Sequence, residues 1–344
     1  MNDTARPPDR RTAFAFWLKL GCISFGGPAG QIALMHEELV ERRRWISAEH
    51  FRHALNYCML LPGPEAQQLA TYVGWLMHGT RGALVAGGLF ILPSLLLLIG
   101  LSWGYMAYGH TAVVTGLLYG IKPAVTALVA HAAWRLGRRA LTNTWARLIA
   151  VSAWTLLALA HVPFPLLIGM AGAAGWWRQR RQAPGAGPSL PLSWAGGRRR
   201  LLRGSALALG LWLLPLLLLT AVFGWQGQPA QMARFFTQAA LLTFGGAYAV
   251  LPYVQQAAVS HYGWLSAGQM MDGLALGETT PGPLIMVVSF VGFVGGWTHA
   301  LPGMTPEVSA VLAACVSPTS PSCRRSASSC SAPPSSKPRA SCRP

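Results

Sequence analysis

Four ionisable residues stand inside apolar stretches, where charge is costly: Lys19, Glu65, Lys122 and Glu278. In a helix solvated by lipid, such residues face the protein interior or a wet cavity and mark substrate or ion paths. Two cations suit an anionic substrate, and two carboxylates suit a coupling proton. Each has a plainer explanation. Lys19 can snorkel to the interface. Lys122 beside Pro123 can close a helix, and Glu65 can cap one after Pro64. His36, His53 and His131 read as structural or interfacial.

The chain breaks beside these charges. Ser24-Phe25-Gly26-Gly27 interrupts one apolar run, and Pro62-Gly63-Pro64 interrupts another just before Glu65-Ala66-Gln67-Gln68. Thr243-Phe244-Gly245-Gly246 and Pro281-Gly282-Pro283 do the same later, the second just after Glu278. Proline removes a backbone donor and glycine permits non-helical angles. Inside a membrane, such breaks are tolerated only within protein or against a wet cavity. Half-helix N-termini at such breaks present free N–H groups and a positive dipole end, which bind anions. The expected anion-binding set is therefore Lys19, Ser24, Phe25, Gly26, Gly27, Pro62, Gly63, Pro64, Gln68, Lys122, Thr243, Phe244, Gly245, Gly246, Pro281, Gly282 and Pro283. Glu65 and Glu278 are the candidates for proton coupling. An ordinary kink or packing glycine explains any one break; the repeated pair favours a site.

The breaks recur because the chain repeats itself. An offset of 219 places Phe16 to Pro64 on the second half without a gap. Ser24-Phe25-Gly26-Gly27 falls on Thr243-Phe244-Gly245-Gly246, Trp45-Ile46-Ser47-Ala48 on Trp264-Leu265-Ser266-Ala267, and Pro62-Gly63-Pro64 on Pro281-Gly282-Pro283. Many secondary transporters are built from two such halves. Arg42-Arg43-Arg44 becomes His261-Tyr262-Gly263. Cationic loops stay in the cytoplasm, so the halves are expected to be inverted relative to each other.

The elements that must carry these sites are membrane helices. The 344 residues are 52% hydrophobic and only 11% charged, against about a quarter charged in soluble domains. Ala83–Trp103 and Ala112–Trp134 read as spans of about 20 residues. Leu148–His161 with Leu166–Trp177 reads as a hairpin broken at Pro163 and Pro165, and Ser205–Phe223 as a further span. Tryptophans near many ends form an interfacial belt. The fold class expected is an all-α polytopic membrane protein of two homologous halves with broken helices. Its parts are residues 12–178, a basic cytoplasmic linker at 179–204, a second half at 205–314 and an aberrant tail at 315–344.

The net charge of +17 sits in short runs between apolar segments, so nucleic acid is not the expected partner. The polar Met1 to Arg11 and the lack of a small-residue cleavage site argue against a secretory signal. Six cysteines form no CxxC, so no metal site or disulfide framework is expected. Nucleotide, serine-hydrolase and zinc-protease signatures are absent. Neither an enzyme nor a cofactor is expected, and an ion gradient is left to drive transport.

Phe16 to Pro28, with its Ser-Phe-Gly-Gly, resembles the opening of the chromate transporter family. Leu61 to Ala70 with Gly74-Trp75, Phe90-Ile91-Leu92-Pro93-Ser94, Ile121-Lys122-Pro123-Ala124-Val125, Leu242 to Gly246 and Glu278 to Pro283 resemble it too. The likeness covers about Phe14 to Val311. It implies the long two-domain form of the family in a bacterial-type inner membrane. It also implies proton-coupled chromate efflux that confers resistance, with chromate, protons and the lipid bilayer as partners. Helix-terminus chemistry alone leaves sulfate or another oxyanion open. An inactive truncated transporter and a membrane-embedded enzyme are the competing readings.

From Cys315 the chain departs from that pattern and is rich in Ser, Pro, Arg and Cys. Write Ser as TCN, Pro as CCN, Thr as ACN and Arg as CGN, and read from each third base. Pro318 to Ala327 can then become Tyr-Phe-Thr-Phe-Leu-Pro-Ser-Phe, which restores the Leu-Pro-Ser of Leu92-Pro93-Ser94. A frameshift is the expectation, with disorder after Val316.

Overall fold

The computed structural model describes residues 8–25, 27–60, 63–160, 162, 164–182, 214, 216–221, 223–225, 227–242, 247–300 and 303–315. Among these the secondary structure is helical throughout, with no strand. The first half comprises α1 (Arg10–Ile23), α2 (Gly27–His36), which continues as a π-helical turn (Glu37–Arg42), α3 (Ala48–Leu60) and α4 (Glu65–Tyr108). Then follow α5 (Ala112–Ala140), α6 (Thr144–Ala160) and α7 (Phe164–Gln182). The second half comprises α8 (Gln228–Leu242), α9 (Ala247–Gln255) with its own π turn (Gln256–His261), α10 (Ala267–Thr279), a 3-10 turn (Leu284–Met286), α11 (Val287–Thr298) and α12 (Pro306–Cys315).

The sequence repeat is a structural repeat in the same register. The offset of 219 carries Glu37–Arg42 onto Gln256–His261 and Ala48–Leu60 onto Ala267–Thr279. Each π turn ends on the same backbone pair: Arg43 N–H donates to Glu38 O at 3.0 Å, and Tyr262 N–H to Ala257 O at 2.8 Å. The following residue is left-handed in both halves, at φ 52° for Arg44 and 62° for Gly263. Each half packs its own apolar core, one around Trp17, Phe51 and Phe90, the other around Phe235, Trp264 and Phe290.

The short helices pair as hairpins. The Arg43 guanidinium lies 5.0 Å from the Phe16 ring, and Trp45 meets Phe16 edge-on at 5.1 Å. The chain has therefore turned back along α1 by residue 43. Phe235 meets Trp264 and Tyr262 in the same way at 5.4 and 5.9 Å. At 1.5 Å per residue, arms of 13 to 15 residues are about 20–22 Å long. That is too short for a hydrocarbon core of about 30 Å, so these arms re-enter rather than cross.

Within α4, His78 and Gly79 leave helical angles, with φ −134° and 64°. The chain folds back there. A Cβ on Gly74 would stand 2.6 Å from Gly82 O and 2.5 Å from the Ala86 Cβ, an approach that only antiparallel arms allow. The arm 65–77 is thus another re-entrant segment. The arm 80–108, about 43 Å long, has the length to cross and contains the expected span Ala83–Trp103. Helix α5 contains the expected Ala112–Trp134, and both candidate membrane spans of the described residues lie in α4 and α5. Helices α6 and α7 pack together, as the expected hairpin does. Most of Ser205–Phe223, most of the linker and the tail from 316 lie outside the described residues.

The arm 80–108 also fixes how the halves face each other. Arg81, Gly82 and Val85 share a cavity with Arg10, Phe14 and Trp17 at the start of α1. A Cβ on Gly21 would meet Leu89 O at 2.4 Å. Ser94 touches Gly282, and Tyr105 reaches Asp272 on α10. First-half arms therefore lie along 80–94 and second-half arms along 94–105. The halves enter from opposite sides and their tips meet at Ser94, which is the inverted arrangement.

Candidate functional site

The tips join by backbone. Gly282 N–H donates to Ser24 O at 2.7 Å. The Gln31 side chain bridges the same two residues, donating from Nε2 to Gly282 O at 2.5 Å and Ser24 O at 3.3 Å. Gln31 and Ser24 are fully buried, and the Ser24 hydroxyl donates to Leu20 O. Gly282 is at φ 116° and Gly63, its repeat partner, at φ 135°. Both need glycine, because side chains disfavour that region. A Cβ on Gly282 would also strike the Ser94 Cβ at 2.5 Å.

Helix starts surround this junction. Helix α2 begins at Gly27 (φ 70°), α4 at Glu65 after the Pro64 cap, and the 3-10 turn at Leu284 after the Pro283 cap. The first N–H groups of a helix have no acceptor within it. The Tyr248 hydroxyl hydrogen-bonds Glu278 and lies 3.5 Å from where a Cβ on Gly27 would stand. That links the start of α2 to the second-half tip. Glu278 Oε1 takes no hydrogen bond.

Buried polar groups continue from the junction in both directions. Gln67, Gln68 and Thr71 are buried on the arm 65–77. Ser94 and Ser102 are buried on one face of the arm 80–108, and Ser289 on α11. The hydroxyls of Thr71, Ser94, Ser102 and Ser289 have no hydrogen-bond partner. Buried polar groups are normally paired, so a run of unpaired ones marks a lining rather than a core.

The expected site residues divide accordingly. Ser24, Gly27, Gly282 and Glu278 come together at the junction. Gly63, Pro64, Glu65 and Gln68 lie at the start of α4, and buried Pro281 and Pro283 flank Gly282. Phe25 is exposed beside the tip. Lys19 is on the exposed side of α1. Lys122 pairs with Asp272 at 2.9 Å, and the Tyr105 hydroxyl donates to the other Asp272 oxygen at 3.1 Å. Gly26, Pro62, Thr243, Phe244, Gly245 and Gly246 lie outside the described residues. Gln31, Ser94, Tyr105, Tyr248 and Asp272 were not singled out from sequence. Asp272 carried a usable signal, being a carboxylate in the apolar stretch Met270–Gly277.

A profile of the family described as chromate transporter matches residues 11–176 and 230–322, one block in each half. The chain belongs to the chromate transporter family. A chromate transport protein of Pseudomonas aeruginosa is 36% identical over 302 residues, covering 86% of this chain and 69% of that protein. One of Cupriavidus metallidurans is 30% identical over 314 residues, or 89% and 72%. The uncharacterized transporter YwrB of Bacillus subtilis is 33% identical over 131 residues, or 38% and 66%, about the length of one half. No solved structure matches the chain. The family is one of membrane transporters, not enzymes, which accords with a site made of helix starts and buried hydroxyls.

Proposed function

We propose that this chain exports chromate across a bacterial-type inner membrane, coupled to protons, and so confers chromate resistance. The observation that carries the reading is the junction of Ser24 and Gly282, where glycine-broken tips of two opposed halves meet. Each donor in that junction satisfies a carbonyl of the other half. A tetrahedral oxyanion entering between the tips takes the Gly282 N–H and the Gln31 amide N–H groups in exchange, aided by nearby helix starts. Rocking of one half against the other about this contact would then open the site to alternate sides. Glu65 and Glu278, at the equivalent ends of the tips, are the proton-coupling candidates of this scheme. The Arg42–Arg44 loop is cytoplasmic in the proposed orientation.

Chromate uptake into everted membrane vesicles tests this, because everted membranes turn export into uptake. Saturable uptake that sulfate inhibits supports the reading. Sulfate uptake without chromate uptake would leave the fold and reassign the substrate.

The frameshift expectation bears on the same assay. The second half's helix α12 corresponds by the offset to residues within the arm 80–108, and the tail follows it. We propose that the frame changes near residue 316. Resequencing with one uninterrupted frame through the tail would refute this, and vesicles carrying the restored frame belong beside the chain as it stands.

A further inference from the structure

We propose that Asp272 is the resident anion of the substrate's own cation, Lys122, and that the oxyanion displaces it, so that binding takes up a proton. This rests on the oxyanion-transport reading above. The pair joins the halves, since Lys122 is on α5 and Asp272 on α10. Asp272 is buried, while Lys122 is about one-third exposed, so the cation is reachable and the carboxylate is not. The pair stands at the end of the unpaired hydroxyls. Ser94 at the junction, Ser102 two turns on and Tyr105 at Asp272 share one face of the arm 80–108, over about 16 Å. A dianion leaving or entering the junction on that side meets Lys122 as the cation on its route.

The charges then decide the outcome. Lys122 cannot hold Asp272 and a dianion equally. A buried carboxylate deprived of its cation is strongly disfavoured as an anion. Asp272 therefore takes a proton when the oxyanion binds, and the Tyr105 hydroxyl, which donates to it now, remains beside it. The remaining elements against α10 supply no competing acid or base. The 3-10 turn and α11 carry no titratable side chain between Leu284 and Thr298. On α5 the next cation, Arg135, acts on Tyr248 near Glu278. Glu278 is six residues further along α10, about 9 Å along its axis.

The test is binding of chromate and of sulfate, which stays a dianion throughout, to the purified full chain in detergent. A pH indicator in weak buffer follows the protons. Wild type should take up protons on binding and lose at least tenfold in affinity as pH rises from neutral to alkaline. Asp272→Asn should bind at least tenfold more tightly at alkaline pH and release or take up no proton. Lys122→Gln should lose binding at every pH, and Lys122→Arg should keep it. Asp272→Glu preserves the carboxylate and should keep the proton uptake, which guards against a folding defect in the Asn variant. Equal proton uptake by wild type and Asp272→Asn, with either anion, overturns the proposal. Failure of wild type to bind either anion overturns the transport reading as well.

Discussion

Replacing Gly282 by alanine acts on the junction alone, and its cost can be worked from the geometry. The backbone sits at φ 116°, which costs a residue with a side chain about 1–3 kcal/mol. The new methyl would stand 2.5 Å from the Ser94 Cβ and 2.6 Å from its hydroxyl oxygen. Overpacking of that kind adds about 1–3 kcal/mol. The two sum to about 2–6 kcal/mol against the closed tips. At about 1.4 kcal/mol per factor of ten, even the low end slows a cycle that must pass through closure by more than tenfold. Ser94→Gly in the same chain removes the steric part and leaves the backbone part. The double variant should recover about 1–3 kcal/mol of coupling, seen as a gain of one to two decades in vesicle uptake over Gly282→Ala. Membrane content and melting temperature, measured alongside, separate transport loss from misfolding. Unimpaired uptake by Gly282→Ala, or no recovery with Ser94→Gly, refutes the tip contact as the gate.

Further outcomes follow from the same contacts. Gln31→Ala removes both side-chain bridges and should cost about 1–3 kcal/mol of closure. Gln31→Glu should be worse, since an ionised carboxylate cannot donate to Ser24 O or Gly282 O; vesicle uptake ranks the two. Arg43→Ala loses its place over Phe16 and Trp45 and should cost about 1–2 kcal/mol in thermal melting. Arg43→Tyr should cost less, because Tyr262 already packs on Phe235 and Trp264 at the equivalent place. Burial works against the Glu38 carboxylate, but Arg43 and Arg42 outweigh it and hold its pKa below the ordinary 4.5. Its stabilising contribution is therefore full above that value and is lost as pH falls through the depressed one. Glu38→Gln should flatten the acid limb of the melting-temperature profile below about pH 4.5 and change little at neutrality.

The repeat made much of this legible. Fixed spacing between Trp45 and Pro62, and again between Trp264 and Pro281, implies equal helices between them, and both α3 and α10 have 13 residues. The exchange of Arg43 for Tyr262 marked the inversion, and the structure seats both against the same aromatic pair. What stayed hidden depends on distant contacts. The fold-back at His78 and Gly79 lies in an apolar stretch that periodicity continues through. Its signal is the close packing of Gly74 on Gly82, which only tertiary structure reveals. Lys122 was legible as an intramembrane cation, but its partner is 150 residues away, and charge alone does not say whether a lysine awaits a ligand or already holds a carboxylate. Gln31 looks like any polar residue of a helix until two carbonyls of opposite halves are placed against its amide.

The central claim is that the oxyanion passes between tips that now close on each other, and Ser24 is where that can be read most directly. Ser24→Cys, with Cys22 and Cys58 replaced by serine and alanine, is exposed to a thiol-reactive maleimide in vesicles. Labelling should be slow, should be accelerated by Gln31→Ala, and should be slowed further by chromate. Fast labelling that neither Gln31→Ala nor chromate alters would contradict the account.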